Sequence, residues 1–139
     1  MQVSPKNALA VIMLSGAILA PFGQARAIDL TGAWATSAEE CKNVFLRKGK
    51  ANLITFAPMS EVHGGGFIVE PSRLIGRTAK CAIKTKKDDG QTVNILASCA
   101  TDIMLSPVQF TLKVVDDNKI QRLFPGMDDM QIFYYRCQI

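Results

Sequence analysis

Two runs of strict alternation govern what this chain can fold into. In Thr92–Cys99, the residues Val93, Ile95, Ala97 and Cys99 face one way, and Thr92, Asn94, Leu96 and Ser98 face the other. Val108, Phe110, Leu112 and Val114 repeat the pattern against Gln109, Thr111 and Lys113. Period two with one apolar face marks a half-buried strand, because successive side chains leave the pleat on opposite sides. Shorter runs read as further strands: Gly32–Ala35, Asn52–Phe56, Gly66–Glu70, Arg73–Arg77, Lys80–Thr85, Lys119–Phe124 and Gln131–Cys137. Short links join them, at Glu70-Pro71-Ser72-Arg73, Asp88-Asp89-Gly90, Asp116-Asp117-Asn118 and Pro125-Gly126. One helix is expected, over Ala38–Lys48. Ser37 is placed to cap it, Glu39 and Glu40 lie in its first turn, and Arg47 and Lys48 lie in its last. The expected fold is all-β with one short N-terminal helix. About eight strands form an antiparallel meander that closes into a small barrel and so removes both sheet edges.

The N-terminus has the three parts of a secretory signal. Lys6 supplies the charge, Ala8–Phe22 is an uncharged apolar run, and Ala25-Arg26-Ala27 presents small residues where a signal peptidase reads. The run is too short to span a bilayer, which takes about 20 residues, and Pro21 and Gly23 break it. Residues 1–27 are therefore read as a cleaved signal, and residues 28–139 as one disulfide-stabilised, barrel-like domain, periplasmic or secreted and without stable membrane insertion. Cleavage also removes Lys6 and Arg26, so the formal charge falls from +4 to +2. That balance gives little reason to expect nucleic acid as a partner.

All four cysteines, Cys41, Cys81, Cys99 and Cys137, lie in the exported part. An even count without a CxxC pair reads as two disulfides rather than a redox or zinc site. A hairpin centred on Gly90 sets Cys81 opposite Cys99, Ile83 opposite Ala97 and Thr85 opposite Ile95. Cys81–Cys99 is then the expected bond, leaving Cys41 for Cys137 across the barrel seam. The competing arrangement, Cys41–Cys81 with Cys99–Cys137, stays open at this point.

Candidate chemistry is sparse. The one histidine, His63, precedes Gly64-Gly65-Gly66 and has no recognised catalytic motif around it, so a conformational role in a glycine turn is expected. Met59, Met104, Met127 and Met130 with His63 are suitable soft ligands for Cu(I), but no tight repeat groups them, and no metal or cofactor is expected. Lys80, Lys84 and Lys86 share parity and so the outer face of a strand, provided that no bulge intervenes. No aromatic side chains interleave with them as a stacking platform for single strands. The paired aspartates at 88–89, 116–117 and 128–129 read as turns and lack the alternate ligands of a calcium loop.

Gly32-Ala33-Trp34 resembles the Gly-x-Trp that opens the first strand of lipocalins and related calycin barrels. The resemblance implies that Trp34 plugs the barrel floor and that the interior holds a small ligand. The chain is also similar to small secreted proteins of Gram-negative bacteria, through Gly32-Ala33-Trp34-Ala35, Gly66-Phe67-Ile68-Val69, Ala100-Thr101-Asp102-Ile103 and Phe124-Pro125-Gly126-Met127. That second resemblance implies export and fold and carries no activity. The expected function is therefore non-enzymatic binding. In the first reading the protein carries a small apolar ligand. In the second it is a protein-binding module, an inhibitor or envelope accessory, that uses the Phe124–Met130 loop. Trp34, Met127, Met130 and Tyr134 are the expected contact residues, with no catalytic residue among them.

Overall fold

The computed structural model describes residues 26–139, so the signal expected over residues 1–27 lies, except for its last two residues, outside the described residues. Among the described residues ten strands form: β1 (Gly32–Ala35), β2 (Phe45–Lys48), β3 (Leu53–Phe56), β4 (Gly66–Glu70), β5 (Arg73–Ile75), β6 (Lys80–Asp89), β7 (Thr92–Ala100), β8 (Leu105–Asp116), β9 (Lys119–Leu123) and β10 (Ile132–Cys137). Eight of them make a closed antiparallel barrel in the order β1-β10-β9-β8-β7-β6-β5-β4, and β1 closes the ring by pairing with both β10 and β4. The remaining two, β2 and β3, form a separate ribbon.

Alternation delivers the interior as expected. Val93, Ile95, Ala97, Cys99, Leu112 and Ile120 are buried together with Trp34, Val69, Leu74, Cys81 and Tyr134. Strand β1 is buried on both faces. Trp34 points inward, while Ala33 and Ala35 form an outer core with Cys41, Val44, Phe45, Ile68 and Cys137. The small alanines let the outer layer approach. Gly66 does the same on β4, where an added Cβ would stand 2.5 Å from the Trp34 carbonyl oxygen and 2.9 Å from the Phe45 ring.

The expected helix over Ala38–Lys48 is corrected. Only Cys41–Val44 is helical (α1), and Phe45–Lys48 is strand β2. Ser37 does not cap the helix; its hydroxyl donates to Glu39 instead. Tertiary pairing overrides the charge pattern here. Phe45 leaves the helix in an extended conformation, is 1% exposed, and packs 5.1 Å from Phe56 across the β2–β3 register. Arg47, expected as a helix-end charge, donates to the main-chain oxygens of Asn52 and Ile139 and so fastens the ribbon to the chain end. Of the expected strands, Arg73–Arg77 ends at Ile75, and β6 and β8 run longer than the alternation suggested.

Both disulfides pair as the hairpin register implied, Cys81 with Cys99 and Cys41 with Cys137. Cys81 faces Cys99 and Ile83 faces Ala97, but a bulge at Lys84 then sets Thr85 opposite Leu96 rather than Ile95. The extra residue reshapes the turn. Asp88 and Asp89 remain in the strand, and Gly90, at φ +60, turns the chain together with Gln91. It also separates the lysines. Lys86 pairs with the inward-facing Ile95 and Asp88 with the inward-facing Val93, so Lys86 does not share an outer face with Lys80 and Lys84.

Candidate functional site: the barrel mouth

Strand directions define two ends. The β6–β7 and β8–β9 turns and the start of β1 lie at one, the floor; the β5–β6, β7–β8 and β9–β10 links lie at the other, the mouth. The floor is plugged by Trp34, with a cavity of about 320 Å³ beside it. Trp34 is fully buried, its indole N–H donates to the Leu30 carbonyl at 2.8 Å, and the Arg136 guanidinium lies over its ring. Residues 28–31 cross beneath it. Asp29 is held below its ordinary carboxyl range, first by the Thr31 N–H and then by the charges of Arg136 and Lys86.

The mouth leads into a cavity of about 390 Å³. Its wall is mostly apolar: Phe67 and Tyr134, edge to face at 4.9 Å, with Leu74, Val108, Phe110 and Leu112. The Cys81–Cys99 bond forms part of the same wall, and Thr101 and Ser106 add hydroxyls near the links. One cation reaches in. The Arg122 guanidinium lies 4.8 Å from the Phe110 ring centre and 4.9 Å from that of Phe124. Two aromatic faces thus hold it in place. No carboxylate of the described residues forms an ion pair with it. Its unpaired nitrogens remain open to solvent.

The expected contact residues separate. Tyr134 lines the cavity. Trp34 belongs to the floor, away from the cavity wall. Met127 and Met130 sit outside the mouth on the β9–β10 link, 52% and 45% exposed, joined by a Met130 N–H bond to the Met127 oxygen and flanking a shallow groove beside Phe124. Ile103, Met104 and Leu105 are exposed on and beside the β7–β8 link at the same end. His63 closes a 3-10 turn (Ser60–His63) and meets the Glu40 carboxylate at 2.9 Å, tying that turn to the start of α1. Next to it, Arg77 donates to the buried Ser60 hydroxyl, to Glu61 at 3.0 Å and to the Gly64 oxygen at 3.3 Å.

Arg122, Phe67 and Phe110 were not singled out from the sequence as site residues. Parity alone carried a signal for the first of them. Arg122 stands two residues from the buried Ile120, so the same strand must turn it inward.

The ring of strands and its two disulfides define the class: an eight-stranded antiparallel β-barrel protein built for an oxidising environment. No family model, no curated protein and no solved structure matches the chain.

Proposed function

We propose that this is an exported, non-enzymatic binding protein, periplasmic or secreted, that carries a small ligand of apolar body in its barrel, in the manner of calycins. The observation that carries the reading is the cavity of about 390 Å³, apolar in its walls and supplied with a single guanidinium. Its volume is within the range of about 300–1,000 Å³ of small-molecule sites, which join apolar linings to a few placed polar groups. An Arg122 held between two rings without a carboxylate partner favours a ligand that brings its own negative charge, since guanidinium–carboxylate contacts are among the stronger hydrogen bonds. The floor position of Trp34 supports the calycin-like part of the reading.

The test is native mass spectrometry of the protein purified from its own compartment, followed by titration with anilinonaphthalene sulfonate, an apolar anion. A retained small mass, and binding weakened about tenfold by Arg122→Gln, are expected. A wild-type protein that retains nothing and does not bind the dye would overturn the carrier reading. The second reading, a protein-binding module using the Phe124–Met130 loop, is favoured by one observation. Met127 and Met130 are exposed at the same end as Ile103, Met104 and Leu105. Co-purification of a protein whose loss follows Met127→Ser and Met130→Ser, with an empty cavity, would support it instead.

A further inference from the structure

Residues 28–31 belong to no strand, yet the segment is tied at every residue. The Ile28 N–H donates to Asp88 Oδ2 at 3.0 Å, and the Ile28 oxygen accepts from Lys86 Nζ at 2.5 Å. Arg136 donates to the oxygens of Asp29 and Thr31, and Leu30 is 3% exposed with its oxygen bonded to Trp34. Lys86 and Asp88 reach Ile28 because the bulge at Lys84 turns both to the inner side of β6. The residue they grasp is also the one that the Ala25-Arg26-Ala27 signal would leave first.

We propose that Ala27–Ile28 is a processing site whose newly made α-ammonium on Ile28 is received by the Asp88 carboxylate, so that maturation locks the barrel floor. This goes beyond ligand carriage and rests only on the export part of the proposed function. The chemistry is hydrolysis by water, catalysed by a signal endopeptidase. The water oxygen bonds to the Ala27 carbonyl carbon, the C–N bond breaks, and its electron pair stays on the Ile28 nitrogen. Ala27 leaves as a carboxylate, and both protons of the water end on that nitrogen, which becomes an ammonium. A hydrogen bond from a neutral amide to the Asp88 carboxylate thereby becomes an ammonium–carboxylate ion pair.

The surroundings favour the new charge. Asp88 and Lys86 face Ile28 from β6, Asp29 adjoins it on its own segment, Asp116 and Asp117 line the same end from the β8–β9 turn, and Arg136 faces it from β10 with its fork committed to main-chain oxygens. Arg26, which lines this end in the uncleaved chain, departs with the signal, and the ammonium replaces its charge. The folded amine therefore titrates above its ordinary range of about 7.7–8.0. A raised value means stability that is fully present below the unfolded pKa and is lost as pH rises through the folded one.

Three measurements test this. Intact mass of the exported protein gives its first residue; Ile28 is expected, and another start overturns the processing site, whereas recovery of uncleaved precursor alone overturns the export reading. A chain made to begin at Ile28 is then titrated by carbon NMR of that residue. Its amine is expected to titrate about one unit, tenfold in dissociation constant, above that of Asp88→Asn. Equal values overturn the ammonium–Asp88 pair while leaving export intact. Should Asp88→Asn not fold, urea unfolding from pH 7 to pH 10 compares the same chain with one retaining Ala27. A steeper alkaline loss in the Ile28 chain is expected, and matching profiles overturn the pair.

Discussion

The Arg136 guanidinium lies 4.3 Å from the centre of the Trp34 ring. From the same position it donates to three main-chain oxygens, those of Thr31 at 2.7 Å, Asp117 at 2.9 Å and Asp29 at 3.0 Å. One side chain on the last strand thus joins the first strand's tryptophan, the N-terminal segment and the β8–β9 turn. Arg136→Ala removes all four contacts and is expected to cost about 3 kcal/mol, whereas Arg136→Lys, which keeps the charge but not the fork, should cost about half. Trp34 is the sole tryptophan, so its fluorescence reports the urea transition directly.

The two disulfides differ in reach. Cys41–Cys137 spans 96 residues and joins α1 to the end of β10, while Cys81–Cys99 spans 18 within one hairpin. Loop-closure entropy gives about 4–5 kcal/mol for the first and about 3 for the second. Replacing Cys41 and Cys137 by serine should therefore lower the urea midpoint further than replacing Cys81 and Cys99. The reverse order would show that the seam bond acts mainly on the native state.

Gly66 sits where strand β4 passes under the Trp34 carbonyl and the Phe45 ring. The close contact on its backbone side cannot be relieved by turning a side chain. Gly66→Ala is expected to destabilise by about 1–3 kcal/mol through overpacking, measured by urea unfolding, and to separate β1 from β4 at that level.

Asp29 supplies the pH dependence at the acid end. Its folded pKa lies below the ordinary 3.8, chiefly through the hydrogen bonds from Thr31. A depressed carboxyl contributes stability that is present above the unfolded value and lost as pH falls through the folded one. Asp29→Ala should flatten stability below about pH 4 and leave the slope near neutrality unchanged, read from unfolding midpoints across that range.

The hairpin β6–β7 was legible because alternation fixes the face of each residue, and the face fixes which cysteines can meet. The bulge at Lys84 was not legible, since one unpaired residue leaves the composition of the strand unchanged and shows only as a shift of partners beyond Ile83. The helix was overestimated because capping and charge signals are local. The pairing of Phe45 with Phe56 is not local, and it wins by burying two rings. Cavity residues come from every strand from β4 to β10, and no single run of sequence displays them together. Arg122 was marked in the sequence only by its parity with Ile120, two residues before it, which the closed barrel places inside.

The Cys81–Cys99 bond lies in the cavity wall itself. A covalent rung between β6 and β7 keeps those two strands from parting, so the barrel cannot dilate along that seam to admit a wider guest. Adjustment is left to the mouth links and to side chains such as Phe67 and Phe110. On the carrier reading proposed above, this bond limits the girth of an accepted molecule at that seam, and reduction is expected to be felt first as a loss of discrimination by size.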